Sequence, residues 1–249
     1  IPGLLEPDQM RDLLRQRQHD RARKQQSAMS ARAEEAKEAV EGVAEVLARL
    51  RAACDRHGVL LIADEVMTGW GRTGRLWACD HAGIAPDILC TSKGLTGGAI
   101  PLAATLATEA VFAAHWSEDR AKTFFHSSSY TANPIACAAG LANVRIWEAG
   151  GMQPVLDRVA AMQAQRLAVV AARPGWENPR QLGTIAAIDL TAAAGGYLAQ
   201  EGPAMRAHFL DRGVLLRPLG NTVYVLPPYC VTADDLDAVW GAIAGYRAG

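Results

Sequence analysis

Apolar residues along this chain come in two spacings. Short runs bounded by turn residues fill the middle: Val59 to Ala63 ends in Asp64-Glu65, and Ile88 to Cys90 leads into Thr91-Ser92-Lys93 and a glycine-rich turn. Such runs read as buried strands of a parallel sheet, although periodicity alone leaves a buried helical segment open. Pro101 to Ala107 and Gly183 to Leu190 read as further strands. Gly213 to Pro218 and Thr222 to Leu226 read as paired strands around a Leu-Gly-Asn turn. Helical spacing recurs at Val40, Val43, Leu47 and Leu50, and over Thr108 to Trp116, Val155 to Ala172 and Pro203 to Arg212. Asn133-Pro134 makes an N-cap and first-turn pair for a helix to Glu148, stopped by Gly150-Gly151. Thr232, with Asp235 behind it, caps a last helix.

Strands alternating with helices predict an α/β fold, and in open α/β sheets ligands bind beyond the carboxyl ends of the strands. An acid, Asp64, therefore stands where one strand stops and a lysine, Lys93, where another stops. Between them, Thr68-Gly-Trp-Gly-Arg-Thr-Gly74 predicts a tight irregular loop, and Asp80-His81 a connecting turn in which His81 packs.

Residues 1–45 differ from the rest. From Asp8 they are polar and helix-favouring, basic through Arg11, Arg15, Arg17, Arg21, Arg23 and Lys24, then acidic from Glu34 to Glu45. They read as a solvated, charged helical extension, with an acidic partner or nucleic acid as the sharper alternative. The division predicted is 1–45, a large domain over 46–155 and a smaller α+β domain over 156–249.

Composition narrows the field. Half of the 249 residues are hydrophobic, enough for a sizeable core, and the formal charge of −1 argues against a chain-wide field for nucleic acid or membrane. The five cysteines are scattered without metal-ligand spacing and read as buried thiols in a reducing compartment. No apolar run reaches transmembrane length and no signal peptide is visible, so a cytoplasmic setting is expected. A start at Ile1 rather than Met points to a fragment or a processed end.

The pairing of Asp64 with Lys93 has a chemistry. Pyridoxal phosphate needs a lysine to hold its aldehyde and a carboxylate to keep its ring nitrogen protonated. The bland alternative is a strand-end acid and a solvated lysine. LLIADEVMTGWGRTG followed by APDILCTSKGLTGG resembles the core signature of the class III aminotransferases, fold-type I pyridoxal-phosphate enzymes with a mostly parallel large-domain sheet. The resemblance begins near Val46. It implies that Lys93 is the Schiff-base lysine and Asp64 the partner of the ring nitrogen.

The resemblance carries further residues. In the loop before Asn133-Pro134, Ser129 occupies the position of a hydroxyl that reaches the cofactor phosphate of the neighbouring subunit, with Ser128 beside it and Ser127 near the substrate. The match of His126 and Asn133-Pro-Ile-Ala-Cys-Ala-Ala carries this; Ser-Ser stands where close relatives often have Gly-Pro. A homodimer with shared sites follows, the commonest oligomer in any case. Arg72 matches an arginine close to the active site, with a structural salt bridge as its alternative. Arg217, in LRPLGNTVYVLPP, matches the arginine that clamps a substrate carboxylate in two parallel bonds. For Tyr224, a half-buried sheet position is the better reading.

The implied reaction is amino transfer from S-adenosylmethionine to 8-amino-7-oxononanoate, giving 7,8-diaminononanoate in biotin biosynthesis. Two alternatives stay open: another class III ω-aminotransferase, and a remnant that folds without cofactor. A full-length relative would carry a small-residue phosphate turn and a ring-stacking aromatic upstream. Residues 1–45 hold neither, Gly3 being the only glycine before Gly42.

Overall fold

The computed structural model describes residue 16 and residues 41–126, 128–191, 196 and 199–247. Most of the charged extension, and Ser127, lie outside the described residues.

The first described element is helix α1, over 41–57, in which Val43 and Leu47 of the predicted stripe are half-buried while Leu50 is exposed; Val40 lies outside the described residues. Its Arg51 reaches Asp87 at 2.8 Å, and the same carboxylate accepts the Leu61 amide at 2.7 Å. One acid thus ties the helix to two strands. Those strands are β1 (Ile62–Asp64) and β2 (Ile88–Thr91), paired in parallel with Asp64 opposite Cys90. Strand β3 (Ala104–Ala107) lies antiparallel on the far side of β2. The described piece of sheet is therefore mixed, one pairing of each kind.

Helix α2 (Glu109–His115) follows, then α3 (Pro134–Glu148), where the Asn133 side chain accepts from the Ile135 and Ala136 amides as its capping sequence requires. Helix α4 (Met152–Ala171) begins three residues before its predicted start.

The chain then builds a second, antiparallel sheet of β4 (Trp176–Leu182), β5 (Ile185–Leu190) and β6 (Thr222–Val225), in that order. Helix α5 (Glu201–Leu210) comes between β5 and β6, and α6 (Ala233–Gly245) closes the fold behind a reciprocal Thr232–Asp235 capping box. Here the periodicities work as written. Ala186, Ile188 and Leu190 alternate inward from β5, Val223 and Val225 from β6, and Leu156, Val159, Leu167 and Val170 line one face of α4. Gln163 sits at the centre of this core, fully satisfied. It donates to the carbonyls of Thr184 and Val225 and accepts the Trp240 indole N–H at 2.7 Å.

Three expectations fail in instructive ways. Strand β4 is not foreseen, because WENPRQL carries a proline and polar residues. It survives as an edge strand with a bulge between Glu177 and Arg180 and Asn178 at φ +51°. The segment 213–218 is not a strand: β6 pairs with β5, and the expected hairpin is reduced to a single bridge between Leu219 and Thr222. Of the five cysteines, all free thiols, Cys79 is buried while Cys137 and Cys230 are exposed.

Candidate active site

The parallel pairing of β1 with β2 brings Asp64 and Lys93 to the same carboxyl edge of one sheet. Asp64 ends β1 and accepts the Val66 amide at 3.0 Å. Lys93 opens a short 3-10 turn over Lys93–Thr96. Both residues are exposed, and among the described residues the Lys93 ammonium has no hydrogen-bond or ion-pair partner. The turn is held from several sides. Ser92 Oγ donates to the Leu102 carbonyl at 2.7 Å, Thr96 Oγ1 to that of Ile100 at 2.6 Å, and Asn143 Nδ2 on α3 to that of Gly94 at 2.9 Å. Lys93 itself adopts φ +41°, and Gly97 closes the turn at φ +62°.

Beside this edge lies the Thr68–Gly74 loop. Glu65, buried at its base, accepts from Thr68 Oγ1 and, at 2.9 Å, from the Cys79 amide. Burial first, and the Glu65 charge second, push the Cys79 thiol up to about 11, so at neutral pH it is not a nucleophile.

Among the described residues Arg72 finds no acid. Its Nη1 donates to the Pro227 carbonyl at 2.6 Å and its guanidinium lies 4.6 Å from the Tyr229 ring centroid. In place of the salt bridge that is its alternative reading stand a carbonyl and an aromatic face, both from the C-terminal part. Tyr229 donates its hydroxyl to the Trp70 carbonyl at 2.6 Å, and its burial pushes that phenol above its ordinary range while the Arg72 charge opposes. The Thr184 amide and hydroxyl both donate to the Arg72 carbonyl at 3.1 Å. At this contact Gly183 is packed so closely that a Cβ there would stand 2.2 Å from the Gly74 nitrogen. The loop is thus the joint between the two sheets.

Other sequence-selected residues lie elsewhere. Ser128 and Ser129 are exposed in the loop leading to α3, the Ser128 hydroxyl accepting the Tyr130 amide at 3.4 Å. Arg217 is exposed and lines an open cleft of about 750 Å³ between α5 and the 215–220 segment, shared with Arg206, Leu215 and Pro218. Tyr224 is half-buried on β6. Sequence reasoning passed over Trp70, Asn143 and Tyr229. The only available signal was the tyrosine after Pro227-Pro228, since the partners of all three are distant in the chain. His81 packs, its Nε2 at 3.0 Å from the Thr73 carbonyl. No cluster of metal-ligating side chains occurs among the described residues. No described helix is long and apolar enough to cross a membrane.

An amine without a partner among the described residues, on the same sheet edge as a carboxylate with little other engagement, is the donor set that an aldehyde-bearing, ring-protonated heterocycle requires, so these residues fit pyridoxal phosphate.

Comparison with known proteins points the same way. The family model described as Aminotransferase class-III matches residues 40–245. The adenosylmethionine-8-amino-7-oxononanoate aminotransferase of Synechococcus elongatus is 46% identical over 204 residues, covering 80% of this chain and 46% of that protein. Its counterpart in Geobacter sulfurreducens is 41% identical, over 76% of this chain and 43% of that protein. Among solved structures, the same-named enzyme of Methanocaldococcus jannaschii superposes with a TM-score of 0.70 at 32% identity, over 77% of this chain and 47% of that one. A PLP-bound amine transaminase from an uncultivated Pseudomonas species gives 0.71 at 35%, over 80% and 47%. The chain spans about half the length of the curated relatives it matches.

Proposed function

Because the chain belongs to the class III aminotransferases, we propose that it carries the lysine-bearing part of a pyridoxal-phosphate aminotransferase site, acting in biotin biosynthesis. The observation that supports this reading is the β1–β2 pairing, which sets an amine and a carboxylate on one sheet edge. In it, residues 46–155 are the cofactor-bearing part and 156–249 the part that supplies Arg217. Lys93 tethers the cofactor aldehyde, then takes and returns the proton moved between substrate and product carbons. Asp64 holds a proton on the ring nitrogen by charge-assisted hydrogen bonding. When bound, the cofactor supplies an electron sink for the pair left at carbon by deprotonation. Ser128 and Ser129 offer hydroxyls to phosphate oxygens of a second subunit's cofactor in a two-fold dimer. Arg217 clamps the carboxylate of 8-amino-7-oxononanoate. Arg72, tied to Pro227 and Tyr229, holds the substrate-side loop against the C-terminal part. The amino donor in this reading is S-adenosylmethionine and the setting cytoplasmic.

The test is direct. Addition of pyridoxal phosphate should raise a visible absorbance band, bleached by borohydride, with the label on the Lys93 peptide. Lys93→Ala should remove both band and label completely. A wild-type chain that gives no band overturns the reading. A second reading, an ω-transaminase acting on simple amines, draws support from the amine transaminase neighbour. Turnover with a simple amine but none with S-adenosylmethionine would favour it.

A further inference from the structure

We propose that Trp70 is a positioning residue for Lys93, setting the direction in which the amine leaves the sheet edge. The inference rests on the reading of Lys93 as the cofactor's anchor. Four non-glycine residues have positive φ among those described, and two of them, Trp70 at +58° and Lys93 at +41°, belong to this corner. Such backbone persists only where its surroundings over-determine it.

The surroundings of Trp70 do so. The residue is 7% exposed, and its indole N–H donates to Thr91 Oγ1 at 2.8 Å, two residues before Lys93. Thr91 is itself buried. One residue after Lys93, the backbone of Gly94 presses on the same side chain: a Cβ at Gly94 would stand 2.5 Å from Trp70 Cβ. Trp70 therefore touches the chain on both sides of the lysine. Trp77 and Trp147 wall the ring edge-on at 5.4 and 6.0 Å, and Tyr229 holds the Trp70 carbonyl at 2.6 Å. Asn143 on α3 also fixes the Gly94 carbonyl. Lys93 cannot relax to an ordinary backbone conformation without displacing buried contacts. A group held this way keeps its reactive atom in one place, which is what positioning contributes to a reaction.

Two substitutions remove the same hydrogen bond from its two ends. Trp70→Phe keeps a ring and loses the donor; Thr91→Val keeps the shape and loses the acceptor. The first readout is amide hydrogen exchange of the chain without cofactor. The Leu95, Gly97 and Gly98 amides, bonded within the turn, should exchange about tenfold faster in both variants, with β5, β6 and α6 unchanged. The second is the distribution of borohydride-fixed pyridoxal phosphate among Lys93 and the other three lysines, Lys24, Lys37 and Lys122. Wild type should favour Lys93, and that preference should fall about fivefold in each variant. A merely structural role would lower the thermal midpoint and leave this distribution unmoved. Unchanged exchange at 95–98, or full preference for Lys93 in both variants, overturns the role of Trp70 alone. Uniform labelling of the four lysines in wild type overturns the anchor reading, and this inference with it. If Trp70→Phe loses protection throughout the chain, Thr91→Val decides.

Discussion

The two sheets differ in how fully their side chains are covered. Around β4–β5–β6, nineteen buried residues between Val159 and Tyr246 form one cluster. Around β1–β2–β3, the buried side chains are few and mostly polar or aromatic: Glu65, Trp70, Thr73, Cys79, Thr91, Thr96 and, on α3, Ala136. Large apolar residues there face outward. Ile62 in β1 is 60% exposed, Leu106 in β3 53%, and Ile135 on α3 70%. A sheet with parallel pairing ordinarily has both faces covered. The C-terminal sheet thus holds itself together, whereas the sheet bearing Asp64 and Lys93 is locked mainly at its loop and its joint. Asp64 and Lys93 stand on the less self-sufficient side, in a chain spanning 46% of a curated relative.

The comparison can be broken most forcefully in the covered sheet. Phe209 is fully buried, so Phe209→Ala should destabilise by about 3–5 kcal/mol through lost transfer energy and a residual cavity. Leu106→Ala, on the uncovered side, should cost below about 1 kcal/mol. Equal losses in urea titration would erase the distinction. The next effect is at the joint. Gly183→Ala drives a Cβ into the Thr73–Gly74 backbone at a position with φ +55°, and should cost about 2 kcal/mol. It should also loosen exchange in the Thr68–Gly74 loop before it reaches α6.

The smallest effect separates the sheets by pH. Asp87 is held below the ordinary carboxylate range by the Leu61 amide first and the Arg51 guanidinium second. A carboxylate lowered in the folded state contributes stability above its unfolded pKa and loses it as pH falls through the folded one. Below about pH 4, protection in α1 and β1 should therefore fall, and Asp87→Asn should remove that acid dependence. Exchange followed from neutral to acid pH in both proteins checks this; identical profiles would remove Asp87 as the tie.

What the sequence made legible follows the same divide. Where one local rule decides, the reading holds: Asn133-Pro134 starts α3 where its side chain can cap, and Thr232 with Asp235 starts α6. The apolar runs ending at Asp64 and before Lys93 locate two strand ends because turn residues bound them. Where long-range pairing decides, the reading misses. Strand β4 exists because β5 offers a partner to an unpromising sequence, and 213–218 is left out because β5 takes β6. At the site, Arg72 is visible in its motif, but its partners Pro227 and Tyr229 lie over 150 residues away, and no spacing predicts them.

The clustering of Trp70, Trp77 and Trp147 has an optical consequence. Half of the chain's six indoles sit together beside the turn that begins at Lys93. Their emission is therefore a reporter built into that corner, where a coloured aldehyde bound nearby would quench it without any added dye.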